Sequence, residues 1–468
     1  MDPRTRLLLE APVMPTILKL ALPNVLVMLV QASIGLIETF FISRLGLDAL
    51  AGMAIVFPLV MLLTMISAGA MGGGIMSAVA RALGAGNRER ANELVWSAVL
   101  ITVLLGALIS VLALAFGPKL YALMGGEGAS LAAATTYAGI VFAGAIPLWL
   151  YNSLAAVIRA TGNMIFPASV MIVGAIVLIP LSPALIFGIG PFPHFGVAGG
   201  AIAVVAYYVI GCFVFGFYLW AGRGVLKPPA WPKRIVFDQL RDILDVGATS
   251  SIVSLSTNIT IATATGLAGI VGPMAVAGYG TGARLEYLLV PLVFGLGAPV
   301  AAMVGTAIGA GQRDRALHVA WVGAGIAFVI TESIGIVAAL FPAAWLTLFG
   351  ADPAMIETGS EYLRIVGPSY GFFGGGLLLY FASQGAGRVG YAMFVAVLRV
   401  LIAAGGGYIA VVWLNGGSAT LFAILAVALV VYGVLNVAAI ASGVWFRHRV
   451  PVRLMPRWLQ AAPAAPDP

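Results

Sequence analysis

Unbroken apolar runs separated by short polar segments recur from one end of the chain to the other. A helix needs about 20 predominantly apolar residues to cross about 30 Å of hydrocarbon. Twelve segments meet that requirement: 17–42, 51–79, 93–117, 131–157, 164–188 and 197–221, then 246–270, 275–304, 319–341, 357–384, 391–414 and 419–446. The runs do not alternate apolar with polar residues, as the strands of a membrane barrel would. The predicted fold class is an all-α polytopic membrane protein. The longest polar interruption, 223–245, carries Lys227, Pro228, Pro229, Pro232, Lys233 and Arg234 and reads as a cytoplasmic linker. It separates an N-terminal lobe of six helices (1–222) from a C-terminal lobe of six (246–446), leaving 447–468 as a basic cytoplasmic tail.

Composition changes the picture by exclusion. The 468 residues are 61% hydrophobic and only 9% charged, against about 25% charged in a soluble domain. Such a chain has too few polar groups to cover a soluble surface, and its hydrophobicity excludes disorder. The net charge of +7 is not gathered into a basic, aromatic-rich segment, so no nucleic acid partner is expected. The charge instead follows topology. With the N-terminus placed in the cytoplasm, nineteen of the 24 Lys and Arg residues fall in cytoplasmic segments. Only Arg44, Lys119 and Arg364 fall on the opposite side, while Arg284 and Arg399 lie within spans. That asymmetry is the positive-inside pattern with both termini cytoplasmic. Met1 to Phe41 lacks a small-residue cleavage site and reads as a first span. The single cysteine, Cys212, excludes an internal disulfide, and no metal site is expected.

An internal repeat divides the twelve spans. A shift of 225 positions lays Gly84-Ala85-Gly86-Asn87-Arg88-Glu89-Arg90-Ala91 on Gly309-Ala310-Gly311-Gln312-Arg313-Asp314-Arg315-Ala316. The same shift lays Trp96 on Trp321, Tyr137 on Tyr362 and Gly162 on Gly387, and Met124-Gly125-Gly126-Glu127 on Phe349-Gly350-Ala351-Asp352. Each repeat has an even number of spans, so the halves share one orientation and relate by a pseudo-two-fold axis along the membrane normal. Such halves predict a transporter rather than a channel or a membrane enzyme. The Gly-Ala-Gly turns lack a phosphate-binding pattern and are expected to end helices. Candidate bending points are Gly72-Gly73-Gly74, Pro180, Pro183, Pro291, Pro299, Pro368 and Gly374-Gly375-Gly376.

The repeat strings resemble those of the multidrug and toxic compound extrusion (MATE) transporters. The resemblance runs through Glu38-Thr39-Phe40-Phe41-Ile42-Ser43-Arg44-Leu45-Gly46, Ala80 to Asn87, Arg159-Ala160-Thr161-Gly162-Asn163, Leu185-Ile186-Phe187-Gly188, Gly282-Ala283-Arg284-Leu285-Glu286 and Gly309-Ala310-Gly311. It implies two six-helix lobes around a cavity and export of organic cations in exchange for H⁺ or Na⁺. The lipid-linked oligosaccharide and peptidoglycan-precursor flippases share the two-lobe fold and are the alternative. They would require a cationic cavity, and only Arg284 and Arg399 stand inside spans, against three glutamates.

A charge inside the bilayer is costly, by about 2.5 kcal/mol or more, and marks a functional site. The set comprises Glu38, Arg284, Glu286, Glu332 and Arg399. Glu38 lies in an apolar stretch of the first span, where a proton and a cation compete to neutralise it. By resemblance it matches the first-helix carboxylate that couples ions in MATE transporters. Their usual Asn and Asp partners on the fifth span are replaced here by Leu178 and Ser182. A Na⁺ ion needs several oxygens and a proton only one carboxylate, so H⁺ coupling is favoured, with Thr39, Ser33, Gln31 and Asn152 as the remaining polar candidates. Arg284 and Glu286 are two apart and face different ways. Equal depth, about 13 Å from the outer end of each span, pairs Arg284 with Glu332, and Arg399 is expected to hold Glu286 or helix-end carbonyls. Tyr370, Phe373 and Tyr380 are candidates for stacking on planar cations, together with Gln31 and Asn152 in the substrate cavity. The expected protein is therefore a monomeric antiporter of the inner membrane. It moves amphipathic organic cations or other drugs in the lipid bilayer against H⁺ or Na⁺, with no cofactor.

Overall fold

The computed structural model describes residues 2–232 and 236–446, and of residues 32, 33 and 36 the backbone alone. The tail 447–468 and Lys233 and Arg234 of the linker lie outside the described residues. Every regular element among the described residues is helical. Among the described residues eleven helical stretches are long and apolar enough to span a membrane, or twelve if one bent pair is a single span. Apolar side chains point outward as well as inward. On the helix Ile165–Phe187, Val173, Ile176 and Val177 are exposed while Leu178 and Leu185 are buried. A surface of that kind is stable only against lipid.

The chain forms two compact units, divided at Ser254 and Leu255, with Arg6–Lys19 belonging to the second. The first unit receives most of its spans from α2 (Val13–Ser43), α3 (Leu47–Thr64), α4 (Gly72–Gly84), α5 (Arg88–Leu123), α6 (Gly128–Ala143), α7 (Ala145–Ala160), α8 (Ile165–Phe187) and α9 (Val197–Trp220). The short α1 (Pro3–Glu10) precedes them. A π-helical stretch, Met65–Met71, joins α3 to α4 just before Gly72-Gly73-Gly74, one of the expected bending points. The bend of 48° between α6 and α7 falls elsewhere, at Gly144, ahead of Pro147. Proline donates no backbone hydrogen bond, which frees the carbonyl one turn earlier and lets the helix break.

The helix α10 (Phe237–Val271) belongs to the first unit up to Ser254, and the second unit continues with α11 (Pro273–Gly309), α12 (Arg313–Leu340), α13 (Pro342–Leu346), α14 (Pro353–Val366), α15 (Tyr370–Gly385), α16 (Gly390–Val400) and α17 (Ser418–Ala441). Pro368 sits in a 3₁₀ turn, Gly367–Ser369, between α14 and α15, within the continuous span Pro353–Gly385. By contrast, Pro180 and Pro183 lie inside α8, and Pro291 and Pro299 inside α11, without ending either helix.

The repeat is visible in the backbone. Gly86 (φ 73°) and Gly311 (φ 72°) end α4 and α11 in the left-handed conformation that favours glycine. Asn87 N donates to Ala82 O at 3.0 Å, and Gln312 N to Ala307 O at 2.9 Å, closing the same helix cap twice. Arginines on either side of these caps hold segments flanking the spans. In the first unit Arg81 meets Asp242 at 2.9 Å, and Arg88 Nε donates to Val225 O at 2.7 Å. The indoles of Trp96 and Trp220 both donate to Pro229 O, so this part of the linker is anchored. In the second unit Arg315 donates to Leu8 O at 2.9 Å and Ala11 O at 2.8 Å, capping the end of α1.

Candidate functional site

Glu38 is buried near the end of α2, and its Oε1 accepts from Tyr137 OH of α6 at 3.0 Å. Opposite lies Gly200 of α9; a Cβ there would come within 3.3 Å of the same oxygen, beside Ile42 and Ile186. Tyr208 of α9 is within electrostatic range of the carboxylate. None of the ion pairs among the described residues involves Glu38. The carboxylate thus has one hydroxyl donor in an apolar wall, a poor setting for a fixed charge.

The sequence candidates around Glu38 separate. Leu178 packs into an apolar cluster with Leu185 and Ala203, and the hydroxyl of Ser182 is buried without a hydrogen-bond partner among the described residues. The Thr39 hydroxyl is spent on Gly35 O at 2.8 Å, Gln31 is exposed, and the Ser33 side chain lies outside the described residues. Asn152 is buried and donates to Ser67 Oγ at 2.6 Å, where the π-helical turn brings Ser67 against α7. Nearby on α7, Trp149 Nε1 and Ser153 Oγ are buried without hydrogen-bond partners among the described residues. Arg159, at the end of the same helix, is also buried and belongs to none of the ion pairs among the described residues.

In the second unit the expected Arg284–Glu332 pair does not form. Arg284 is exposed and lies over the Phe349 ring at 4.8 Å. Glu332 instead accepts from Gly371 N at 2.7 Å, capping the start of α15. A carboxylate at a helix N-terminus is stabilised by the free N–H groups there, so equal depth alone did not decide its partner. Glu286, half-buried on α11, accepts from Tyr362 OH of α14 at 2.9 Å. Arg399 ends α16, is only 4% exposed, and acts on Glu286 through space without an ion pair within 4.0 Å. Its Nη2 donates to Thr257 Oγ1 at 3.2 Å, and its guanidinium lies over Phe373 (5.6 Å) and Tyr432 (5.1 Å). Tyr370, Phe373 and Tyr380 are all buried, and Tyr380 OH accepts from Gln384 Nε2 at 2.8 Å.

The residues that sequence reasoning did not assign are the two tyrosines. Both belong to the repeat, Tyr137 matching Tyr362, a correspondence that by itself names no chemistry. Their role was hidden because each carboxylate comes from a different place in its half. Glu38 corresponds to Thr263, and Glu286 to Met61.

Membrane-spanning helices in two repeated sets, with acidic side chains held inside the bilayer by single hydroxyls, define a multi-pass membrane transporter. The chain belongs to the MatE family, whose family model matches residues 23–184 and again 247–409. Among curated relatives, a FAD transporter of Shewanella oneidensis is 30% identical over 379 residues, 80% of this chain and 82% of that one. A probable multidrug resistance protein NorM of Thermotoga maritima is 25% identical over 356 residues, 75% of each chain. A solved structure of MATE in the bent conformation superposes with a TM-score of 0.86 at 24% identity, over 93% of this chain and 96% of that one. A MOP superfamily transporter from Pyrococcus furiosus does so with a TM-score of 0.85 over the same shares. These neighbours have the twelve-helix, two-lobed fold predicted from the hydrophobic pattern.

Proposed function

We propose that the protein is a secondary active antiporter of the inner membrane, with both termini cytoplasmic. It exports planar, amphipathic small molecules in exchange for protons taken up at Glu38. The observation that carries this reading is the setting of Glu38: a buried carboxylate with one hydroxyl donor, walled by Gly200, Ile42 and Ile186 and joined to no basic side chain among the described residues. Such a group is costly to leave charged, and a proton or a substrate cation relieves the cost. The two ligands then exclude each other, which is the requirement for exchange. Na⁺ fits less well. It needs a shell of oxygens, whereas the hydroxyl of Tyr137 is committed to donating, and Leu178 occupies a place that would have to supply another oxygen.

On substrate class the relatives diverge. Several carry multidrug names, and the Shewanella oneidensis relative is named a FAD transporter. The buried Arg159 and Arg399 favour keeping an anionic, flavin-bearing substrate as the second reading beside organic cations. Both share planar rings, so the test uses one dye of each charge and FAD. Purified protein in proteoliposomes should expel at least one of them when a proton gradient is imposed. Undiminished export by Glu38→Gln would contradict the role given to Glu38.

A further inference from the structure

We infer that the second unit contains its own protonation site, built from Glu286, Tyr362 and Arg399, so that each transport cycle moves two protons rather than one. The inference rests on the antiport reading above and deepens it. Its starting point is a coincidence of geometry that hydropathy does not require. The 225-residue shift that relates the halves carries Tyr137 onto Tyr362, and each hydroxyl donates to a membrane-embedded carboxylate, at 3.0 Å in the first unit and 2.9 Å in the second. The tyrosine is common to both halves, whereas the acid arrives on α2 in one and on α11 in the other. An acid that had only to fill space would have no reason to meet the equivalent hydroxyl from a non-equivalent helix.

The groups facing Glu286 set what it can bind. Tyr362 of α14, Tyr370 of α15 and Arg399 of α16 lie within electrostatic range, as do Tyr279 and Tyr287 of its own helix. Glu332 of α12 is engaged with Gly371 N, and Arg284 with Phe349. One carboxylate, a hydroxyl that donates to it and a nearby guanidinium make a poor shell for Na⁺, which keeps its full charge when bound. A proton cancels the carboxylate charge outright.

Arg399 supplies the response to proton loss. Its guanidinium rests on Phe373 and Tyr432 and reaches Thr257, yet its Nε is buried with no hydrogen-bond partner among the described residues. It also stands at the junction of α16 with the π-helical Leu401–Gly406, a backbone form often found at functional sites. When Glu286 releases its proton to water, the exposed carboxylate charge draws the guanidinium from Thr257 and the rings, and reprotonation returns it. The coupling is thus a shift of one side chain inside the second unit.

Proton release on substrate addition tests this directly. Purified protein in weakly buffered detergent solution is mixed in turn with a saturating cationic dye, an anionic dye and FAD, and released protons are read with a pH dye for wild type, Glu38→Gln, Glu286→Gln, Glu286→Asp and Tyr362→Phe. The expected result is two protons per substrate for wild type, one for each Gln variant, and two for Glu286→Asp and Tyr362→Phe with a displaced pH profile. Thermal unfolding of each variant separates a lost site from a lost fold, and if Glu286→Gln does not fold, the displaced profile of Tyr362→Phe decides. A wild-type count of one that vanishes in Glu38→Gln would overturn the second site and leave antiport standing. So would a Glu286→Gln count equal to wild type, or an unmoved Tyr362→Phe profile. No release from wild type would remove antiport itself, and the second site with it.

Discussion

Two carboxylates, Glu38 and Glu286, each depend on a single tyrosine hydroxyl for their hydrogen bonding to another side chain. Removing the donor leaves a buried acid partly unsatisfied, at a cost of about 1–3 kcal/mol. Tyr137→Phe is therefore expected to lower the melting temperature and to slow proton-driven export. Tyr137→Ala adds a cavity and should cost more, about 3–5 kcal/mol, as large aromatic deletions do. Melting in detergent and efflux from proteoliposomes check both. Glu38 itself was legible in the sequence, because an acid in an apolar run has few purposes. Its partner was not, since a tyrosine in a membrane helix has no comparable signature and the carboxylate meets it across 99 residues. Arg284 and Glu332 show the converse limit. Depth along a helix can be counted from sequence, but rotation about its axis, which turned one to Phe349 and the other to Gly371, cannot.

At the scale of the helix, small residues decide how closely neighbours approach. Gly335 of α12 and Gly367 face each other so tightly that a Cβ on Gly335 would come within 2.1 Å of Gly367 O. The same repeat positions in the first unit are Ser110 and Phe142, where the serine hydroxyl donates to the Phe142 carbonyl at 2.6 Å. One half closes this crossing by bare backbone contact and the other by a hydrogen bond, both recognised devices for packing helices in lipid. Gly335→Ala should destabilise by about 1–3 kcal/mol through overpacking, whereas Gly325→Ala, with nothing within 4 Å of its Cβ, should be neutral. Comparing the two melting temperatures tests the crossing. Asp242 gives a second test at this scale. It meets Arg81 at 2.9 Å and Arg90 at 3.7 Å, and Asp242→Asn should raise amide hydrogen exchange in the first turns of α10 while costing under about 1 kcal/mol. Helix existence and number were readable from hydropathy, and so were the glycine caps at Gly86 and Gly311. The bend at Gly144 and the π-helical turns were not, because a proline in an apolar run permits a break without requiring one, and α11 absorbs Pro291.

For the whole molecule, the repeat and the basic-residue asymmetry carry the topology. Because Cys212 is the only cysteine, a Cys212→Ala background gives a clean host for single reporter cysteines. Cysteines placed at Asp48 and at Lys227 should react with an impermeant thiol reagent from opposite sides of the membrane, Asp48 from outside. Reaction of both from one side would contradict the odd number of spans, five, between them. Family membership fixes the class, and the intramembrane acids point to what drives it, so the central claim is that a proton at Glu38 powers export. Proteoliposomes with the H⁺ and Na⁺ gradients imposed separately test that claim most directly, with wild type beside Glu38→Gln. Export is expected from wild type under the H⁺ gradient alone, and diminished export from the variant. Export driven by Na⁺ alone, or equal export by Glu38→Gln under the H⁺ gradient, would contradict it.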